Sequence, residues 1–230
     1  GGEEIWGDYP RNAVPLWTNL FAGKSLPTTI IVNSHEATQV TKNSQIVSAD
    51  MSTADIVMPF EYNYDAFPSE INLFLDSNFR QKKPQATISW KTPDGRQIQL
   101  GDTTVGVSER FAISIDQKLS RKLDGLSPEV GLFADPATIK PKSDPQVLKG
   151  KYELVIEGLT FEPGTELNAK LVVYGQAYGW AGTDHHRRDL MVALLWGTPI
   201  ALAFGFLAAV GSTLATFAIA AIGSWFGGFW

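Results

Sequence analysis

Two patterns divide the chain. Up to Asp189, polar and apolar residues are interleaved in short runs; from Leu190 to Trp230, about 41 residues pass without an Asp, Glu, Lys or Arg. In the first part, runs with strand character recur between turn residues. Thr28 to Val32 is largely β-branched, and Ile56 to Tyr64 alternates through Met58, Phe60 and Tyr62. Ile71 to Leu75 follows. Ala86 to Trp90 and Gln97 to Leu100 flank Pro93-Asp94-Gly95, whose turn chemistry favours a hairpin. Phe111 to Ile115 alternates again, and Pro163-Gly164 separates Tyr152 to Ile156 from Leu167 to Tyr174. Short strands at such intervals predict a mainly β, sandwich-like domain over residues 28–178, large enough to bury its own core. A short helix is expected near Leu119 to Leu123, within a charged and Pro-rich stretch. Residues 1–27, with Trp6, Tyr9, Trp17 and Phe21 among Pro and Gly, read as a lead-in, and Asn12 to Phe21 as a short helix lying at a membrane surface.

The second pattern predicts a transmembrane helix, since a span needs roughly 20 apolar residues. Its centre is Pro199 to Ile222, with Pro199 suited to a first helical turn. The span is expected over 199–224, after a motif and interfacial segment at 179–198 and before an aromatic interfacial end at 225–230. Along a helix, Trp196 and Trp225 stand about 43 Å apart, close to the roughly 40–45 Å of a bilayer with its headgroups. Trp196 on one side, with Trp225, Phe226 and Phe229 on the other, therefore read as interfacial aromatics. Ala201, Gly205 and Ala209 repeat at four-residue spacing, as do Ser212 and Thr216 between Ala208 and Ala220. Such small-residue faces let helices approach closely in lipid and imply further spans elsewhere in the protein. The alternatives are a buried helix of a large soluble protein and, for the small residues, their general abundance in membrane helices.

Charge and composition narrow the chemistry. The net charge of −5 falls on the first part, with no basic stripe of the kind that marks a nucleic-acid partner. The absence of cysteine removes disulfides and thiolate metal sites. The chain opens on Gly1 without a basic and apolar leader, and both ends read as ends of a fragment. The densest polar cluster is Asp184-His185-His186-Arg187-Arg188-Asp189. Adjacent histidines on one element point apart and chelate poorly, and His35 is distant, so an interfacial charged flank is the stronger reading than a metal site. Arg187 and Arg188 are expected to pair with Asp184 and Asp189, or with lipid phosphates. Glu61, Asp65 and Glu70 read as a solvated acidic edge. No nucleophile elbow or phosphate-cradling loop is present, so the chain is not expected to be an enzyme.

From Gly182 onward the sequence resembles a known family. Gly182-Thr183-Asp184, three residues, then Arg188-Asp189 is similar to the Gly-Thr-Asp-x-x-Gly-Arg-Asp motif of peptide-type (oligopeptide, dipeptide and nickel) ABC importer permeases, in the second of their two permease subunits. Leu194-Leu195-Trp196-Gly197-Thr198-Pro199-Ile200-Ala201-Leu202 and Phe226-Gly227-Gly228-Phe229 resemble the helix that follows in that family. The likeness covers about fifty residues, Gly179 to Trp230. It departs at Arg187, where the family has Gly, and near Val192-Ala193, where the family has Ser-Arg. The resemblance implies a fragment of an ABC type-1 permease domain that helps form a membrane path for peptides or similar small solutes. It implies no cofactor in this chain, ATP being bound on partner subunits. The implied partners are the second permease subunit, the ATP-binding subunits, an extracytoplasmic solute-binding protein and membrane lipid, with no nucleic acid. It places residues 1–189 outside a cell membrane that the full protein crosses several times. A first helix would precede Gly1, and the β domain would be an enlarged external loop. The rival reading is a cell-surface β-sandwich on a C-terminal anchor, acting in binding or adhesion; a hydrolase domain on an anchor is a third.

Overall fold

In a computed structural model, residues 7–36, 39–48, 51–139 and 144–227 are described. The chain divides into two compact units, Gly1–Arg188 and Asp189–Trp230. The first is mainly β, with two antiparallel sheets; the second is a long apolar helix.

One sheet holds four strands in the order β1 (Ile30–Asn33), β9 (Leu167–Tyr174), β4 (Glu70–Ser77) and β7 (Ser108–Ala112). The other holds five: β2 (Thr41–Ser48), β3 (Met51–Tyr62), β8 (Gly150–Thr160), β5 (Gln85–Lys91) and β6 (Gln97–Thr104). Strand β3 explains how the sequence builds the core. Its even positions Ala54, Ile56, Met58, Phe60 and Tyr62 are all buried. A period of two puts them on one face. The register sets Ile56 opposite Ile156, Met58 opposite Leu154 and Phe60 opposite Tyr152. From the four-stranded sheet, Ile71, Leu73 and Leu75 face the same core, opposite Val173, Leu171 and Ala169 on β9. Phe133, from the connection between the sheets, closes one end, with ring centroids 4.4 Å from Tyr62 and 4.8 Å from Tyr152. Each such fully buried side chain contributes about 1.5–3 kcal/mol relative to exposure.

The hairpin between β5 and β6 forms where Pro93-Asp94-Gly95 predicts it. Gly95 takes φ +85°, its amide donates to the Thr92 carbonyl at 3.0 Å, and the Thr92 amide donates to Arg96 at 3.0 Å. A short helix α1 (Gln117–Lys122) lies two residues before its expected position, because the Asp116 carboxylate caps it from Lys118 and Leu119. A second, α2, spans Pro128–Gly131.

Several expectations shift. The run Phe111 to Ile115 is a strand only to Ala112; Ile113–Ile115 is a 3₁₀ turn that aims the Ser114 hydroxyl at the Ile71 amide, 2.7 Å away. Asn12 to Phe21 is not helical throughout: Leu16–Leu20 forms a 3₁₀ helix, and Leu20 and Phe21 are exposed. Strand β2 adds to the expected set: all eight of its residues are exposed and carry no apolar alternation. The helix does not begin at Pro199. The helix α3 runs over Leu190–Trp225, started by the Asp189 carboxylate, which accepts from the Met191 amide at 2.8 Å. Pro199 therefore lies inside it, and the stretch 190–198 is part of the same helix.

Helix α3 is 36 residues long, with a mean hydropathy of 2.0 over its most apolar window and no buried residue. It is long and apolar enough to cross a membrane, alone in this among the described residues.

Candidate functional site

The Gly182–Asp189 loop is held by the lead-in and by the outer face of the four-stranded sheet. Gly182 has φ +75°, and a Cβ there would stand 2.2 Å from the Ala13 carbonyl oxygen, so only glycine fits. The next residue, Thr183, is buried. Its hydroxyl donates to the Pro10 carbonyl at 2.7 Å and accepts from the Ala13 amide at 3.0 Å. Its own amide donates to the Ala13 carbonyl at 3.0 Å. Gly-Thr thus binds the lead-in to the loop 170 residues away in sequence.

Asp184 closes the loop on itself. Its carboxylate accepts from the amides of His186 and Arg188, both at 2.9 Å, and from the Arg188 guanidinium at 2.7–2.8 Å. Desolvation works to raise its pKa, but the Arg188 and His186 amides and the Arg188 charge outweigh it and hold the carboxyl below its ordinary value. The expected Asp184–Arg188 pair is present.

Arg187 behaves differently from expectation. Its partner is not a neighbouring aspartate but Glu70 at the start of β4, 2.6 Å away. It also donates to the Tyr9 carbonyl at 2.5 Å and lies 4.2 Å from the centroid of the Tyr174 ring. Its backbone takes φ +65°, a conformation that costs a non-glycine residue about 1–2 kcal/mol. This is the position where the resembling motif carries Gly. Asp189, expected to pair with an arginine, instead caps α3.

Glu70 is likewise not part of a solvated acidic edge. Its carboxylate receives Arg187, Arg110 at 3.0 Å and the Asn72 amide at 2.7 Å. Asp65 pairs with Lys149 at 2.5 Å, and Glu61 meets Asn63. The three carboxylates thus have separate partners.

The outer face of the four-stranded sheet, the lead-in and the 185–187 turn enclose a cleft of about 520 Å³. It is lined by the aromatic Phe74 and Tyr174, by Arg11, Arg110, Arg187, His185 and His186, and by Gly7. The Tyr174 hydroxyl donates to the Gly7 carbonyl at 2.6 Å. Burial raises the pKa of that phenol, against the opposing pull of Asn72 and Arg187. The two imidazoles lie with centroids 3.9 Å apart. Among the described residues no group of three His, Asp or Glu side chains is placed to hold a metal ion.

On α3, Ala201, Gly205, Ala209, Ser212 and Thr216 are all exposed. The hydroxyls of Ser212 and Thr216 turn back to the helix carbonyls of Ala209 and Ser212. Trp196, Trp225 and Phe226 are exposed as well; Phe229 lies outside the described residues, as does Trp6. The sequence marks the 182–189 loop, gives Glu70 only as part of an acidic edge, and does not signal Arg110, Arg11 or Tyr174 as its neighbours. The one local signal was the Arg at position 187, a bulky cation where a turn wants glycine.

No protein-family model matches the chain, and no curated protein matches it. Among solved structures, TmCBM61 in complex with β-1,4-galactotriose overlaps at a TM-score of 0.28 and 8% identity, over 74% of this chain and 96% of that one. A superposition that loose decides neither topology nor ligand.

Proposed function

We propose that the chain is part of an ABC importer permease of the peptide type, comprising an enlarged external β domain and the membrane helix that follows it. The observation that carries this reading is the Gly182–Asp189 loop. Each motif residue has a conformational task that its type explains: a left-handed glycine, a threonine bridging two backbone groups, an aspartate closing a turn and a second aspartate capping a helix. The position occupied by glycine in the family is left-handed in this chain, a conformation that glycine adopts freely. The helix it launches is 36 residues long, about 54 Å at 1.5 Å per residue, enough for a bilayer with its headgroup layers. On this reading α3 lines or braces the solute path, and its small-residue face packs against other spans. A solute-binding protein delivers the peptide outside, and ATP hydrolysis on partner subunits drives the change of access. The β domain docks the binding protein or braces the second permease.

The test is purification of the full-length protein from its native membrane, followed by reconstitution in liposomes. Co-purification of a second permease and ATP-binding subunits, with ATP-dependent peptide uptake, is the expected result. Isolation without any ATPase, and no uptake, would overturn the reading. Removal of residues 28–175 should then reduce uptake at limiting peptide if the domain docks the binding protein.

The alternative is a surface β-sandwich that binds a ligand from a C-terminal anchor. What favours it is the cleft on the outer face of a sheet with a complete core of its own. The reading frame after Trp230 separates the two: a permease requires further spans and a cytoplasmic coupling loop, an anchor only a few basic residues.

A further inference from the structure

We infer that the cleft over the four-stranded sheet binds a phosphate group. The observation is an accumulation of cationic and N–H donor groups in an acidic protein. The chain carries a net charge of −5, yet three arginines and two histidines line one concavity. Among the described residues, the carboxylate reaching its arginines is Glu70, which already receives Arg187, Arg110 and Asn72; Asp8, next to Gly7 of the cleft lining, is neutralised by Lys170 at 2.6 Å. One carboxylate against three guanidinium groups leaves a formal excess of about two positive charges before any histidine is counted, and a concave site focuses that field.

The donors also have the right form. Arg187 is fixed by Tyr9, Glu70 and the Tyr174 ring and acts as the rigid wall. Arg110 uses one guanidinium nitrogen on Glu70 and Asn72, and its side chain is 47% exposed. Arg11 is exposed, and no ion pair holds it among the described residues. These two present N–H groups from different elements, the lead-in and β7, while His185 and His186 approach from the motif turn. Donors converging from several directions suit a tetrahedral oxyanion with several acceptor oxygens better than a planar carboxylate, which one bidentate guanidinium satisfies. Phe74 and Tyr174 add aromatic surface to the same lining, which a glycerol or organic substituent can cover.

A phosphate of this kind comes from a phospholipid headgroup or from free phosphate. The inference goes beyond the permease reading and its test needs no transport partner. The full chain, in uncharged detergent micelles at fixed ionic strength, is titrated calorimetrically with sodium phosphate and, separately, with a short-chain phosphatidylglycerol; sodium chloride is the control. Binding of either phosphate compound is expected, weakened about tenfold by Arg11→Ala, the loss of one charge-assisted contact. A response to phosphatidylglycerol alone assigns the lipid headgroup; equal responses assign free phosphate. His185→Ala serves as a second variant that leaves the Glu70 network untouched. Heats no larger than those of chloride, or affinities unchanged in both variants, would overturn the inference.

Discussion

Arg187 donates to Glu70 at 2.6 Å across 117 positions of sequence, joining the turn that precedes α3 to the first residue of β4. Both side chains are largely withdrawn from water, at 11% and 19% exposure. Removal of one partner from such a pair leaves the other charge poorly solvated. Glu70→Ala strands the Arg187 guanidinium, while the half-exposed Arg110 stays solvated. The expected loss is about 3–5 kcal/mol, the range for breaking a buried pair. Chemical denaturation of the full chain in detergent, followed by the fluorescence of the core Trp90, measures it; a loss under half a kcal/mol would mean the pair does not hold the turn.

The left-handed backbone at Arg187 permits a sharper comparison. Arg187→Ala and Arg187→Gly both delete the ion pair, the Tyr9 hydrogen bond and the stacking on Tyr174. Only glycine then relaxes at φ +65°. The glycine variant should be the more stable of the two by about 1 kcal/mol, while both fall below the parent. Equal stabilities would remove the backbone argument and weaken the correspondence with the glycine of the permease motif.

Thr183 offers a test of the lead-in. Its hydroxyl serves the Pro10 carbonyl and the Ala13 amide at once, with 4% of the residue exposed. Thr183→Val keeps the shape and leaves two buried backbone groups without that partner, costing about 1–3 kcal/mol for each that finds no water. Amide hydrogen exchange at Ala13 should accelerate in the variant, ahead of exchange in β3 and β8. Unchanged protection at Ala13 would show that the lead-in is held elsewhere.

How much of this could be read from the chain follows from what each feature depends on. Strand β3 announces itself by alternation, because one-sided burial imposes a period of two, while β5, β8 and β9 are marked by short runs of strand-forming residues between turn residues. Strand β2 escapes, since it pairs with β3 yet all eight of its residues are exposed and it buries neither face. Pro199 misleads because proline at a first turn is the common case; here the Asp189 cap sets the start, and the helix continues through the proline. The Thr198 hydroxyl returns to the Leu194 carbonyl at 2.6 Å just before it. The motif loop is legible as a motif, yet its anchor at Glu70 is not. That contact depends on β4 lying beside β9, and no local pattern encodes which distant carboxylate a guanidinium will meet.

Stability against acid follows from carboxylates with depressed pKa values: Asp94, which desolvation would raise but Thr92 and Arg96 hold down, and three others. Hydrogen bonding from Lys149, then from the Ser25 amide, holds Asp65 below its model-peptide value of 3.8. The amides of Arg80, Lys82 and Gln81, opposed by desolvation, hold Glu162 below 4.5, each donating at 2.8 Å. Desolvation raises and the Arg188 and His186 contacts lower Asp184, with a net fall below 3.8. In each case the folded pKa lies below the unfolded one. The stabilisation is therefore complete above the unfolded values and is lost as pH falls through the folded ones. The melting temperature of the β domain should hold between pH 7 and about pH 5 and drop below about pH 4. Glu162→Gln should flatten that acid limb, because an amide cannot titrate. A variant whose acid limb matches the parent would show that Glu162 takes no part in it.

The start of α3 is a separate matter from its crossing of a membrane. The Asp189 carboxylate accepts from the Met191 amide at 2.8 Å and places a negative charge at the helix N-terminus. Asp189→Ala removes both effects and should cost about 1 kcal/mol, confined to the first turn. Asp189→Asn keeps the acceptor without the charge and should recover most of the loss. Hydrogen exchange at the amides of Leu190 to Leu194 reads this directly. Increased exchange in the alanine variant, restored by asparagine, is the expected order. If both variants exchange alike, the charge rather than the cap carries the effect; if neither differs from the parent, the helix is started by the apolar run alone, and Asp189 would then have no structural task to justify its place in the motif.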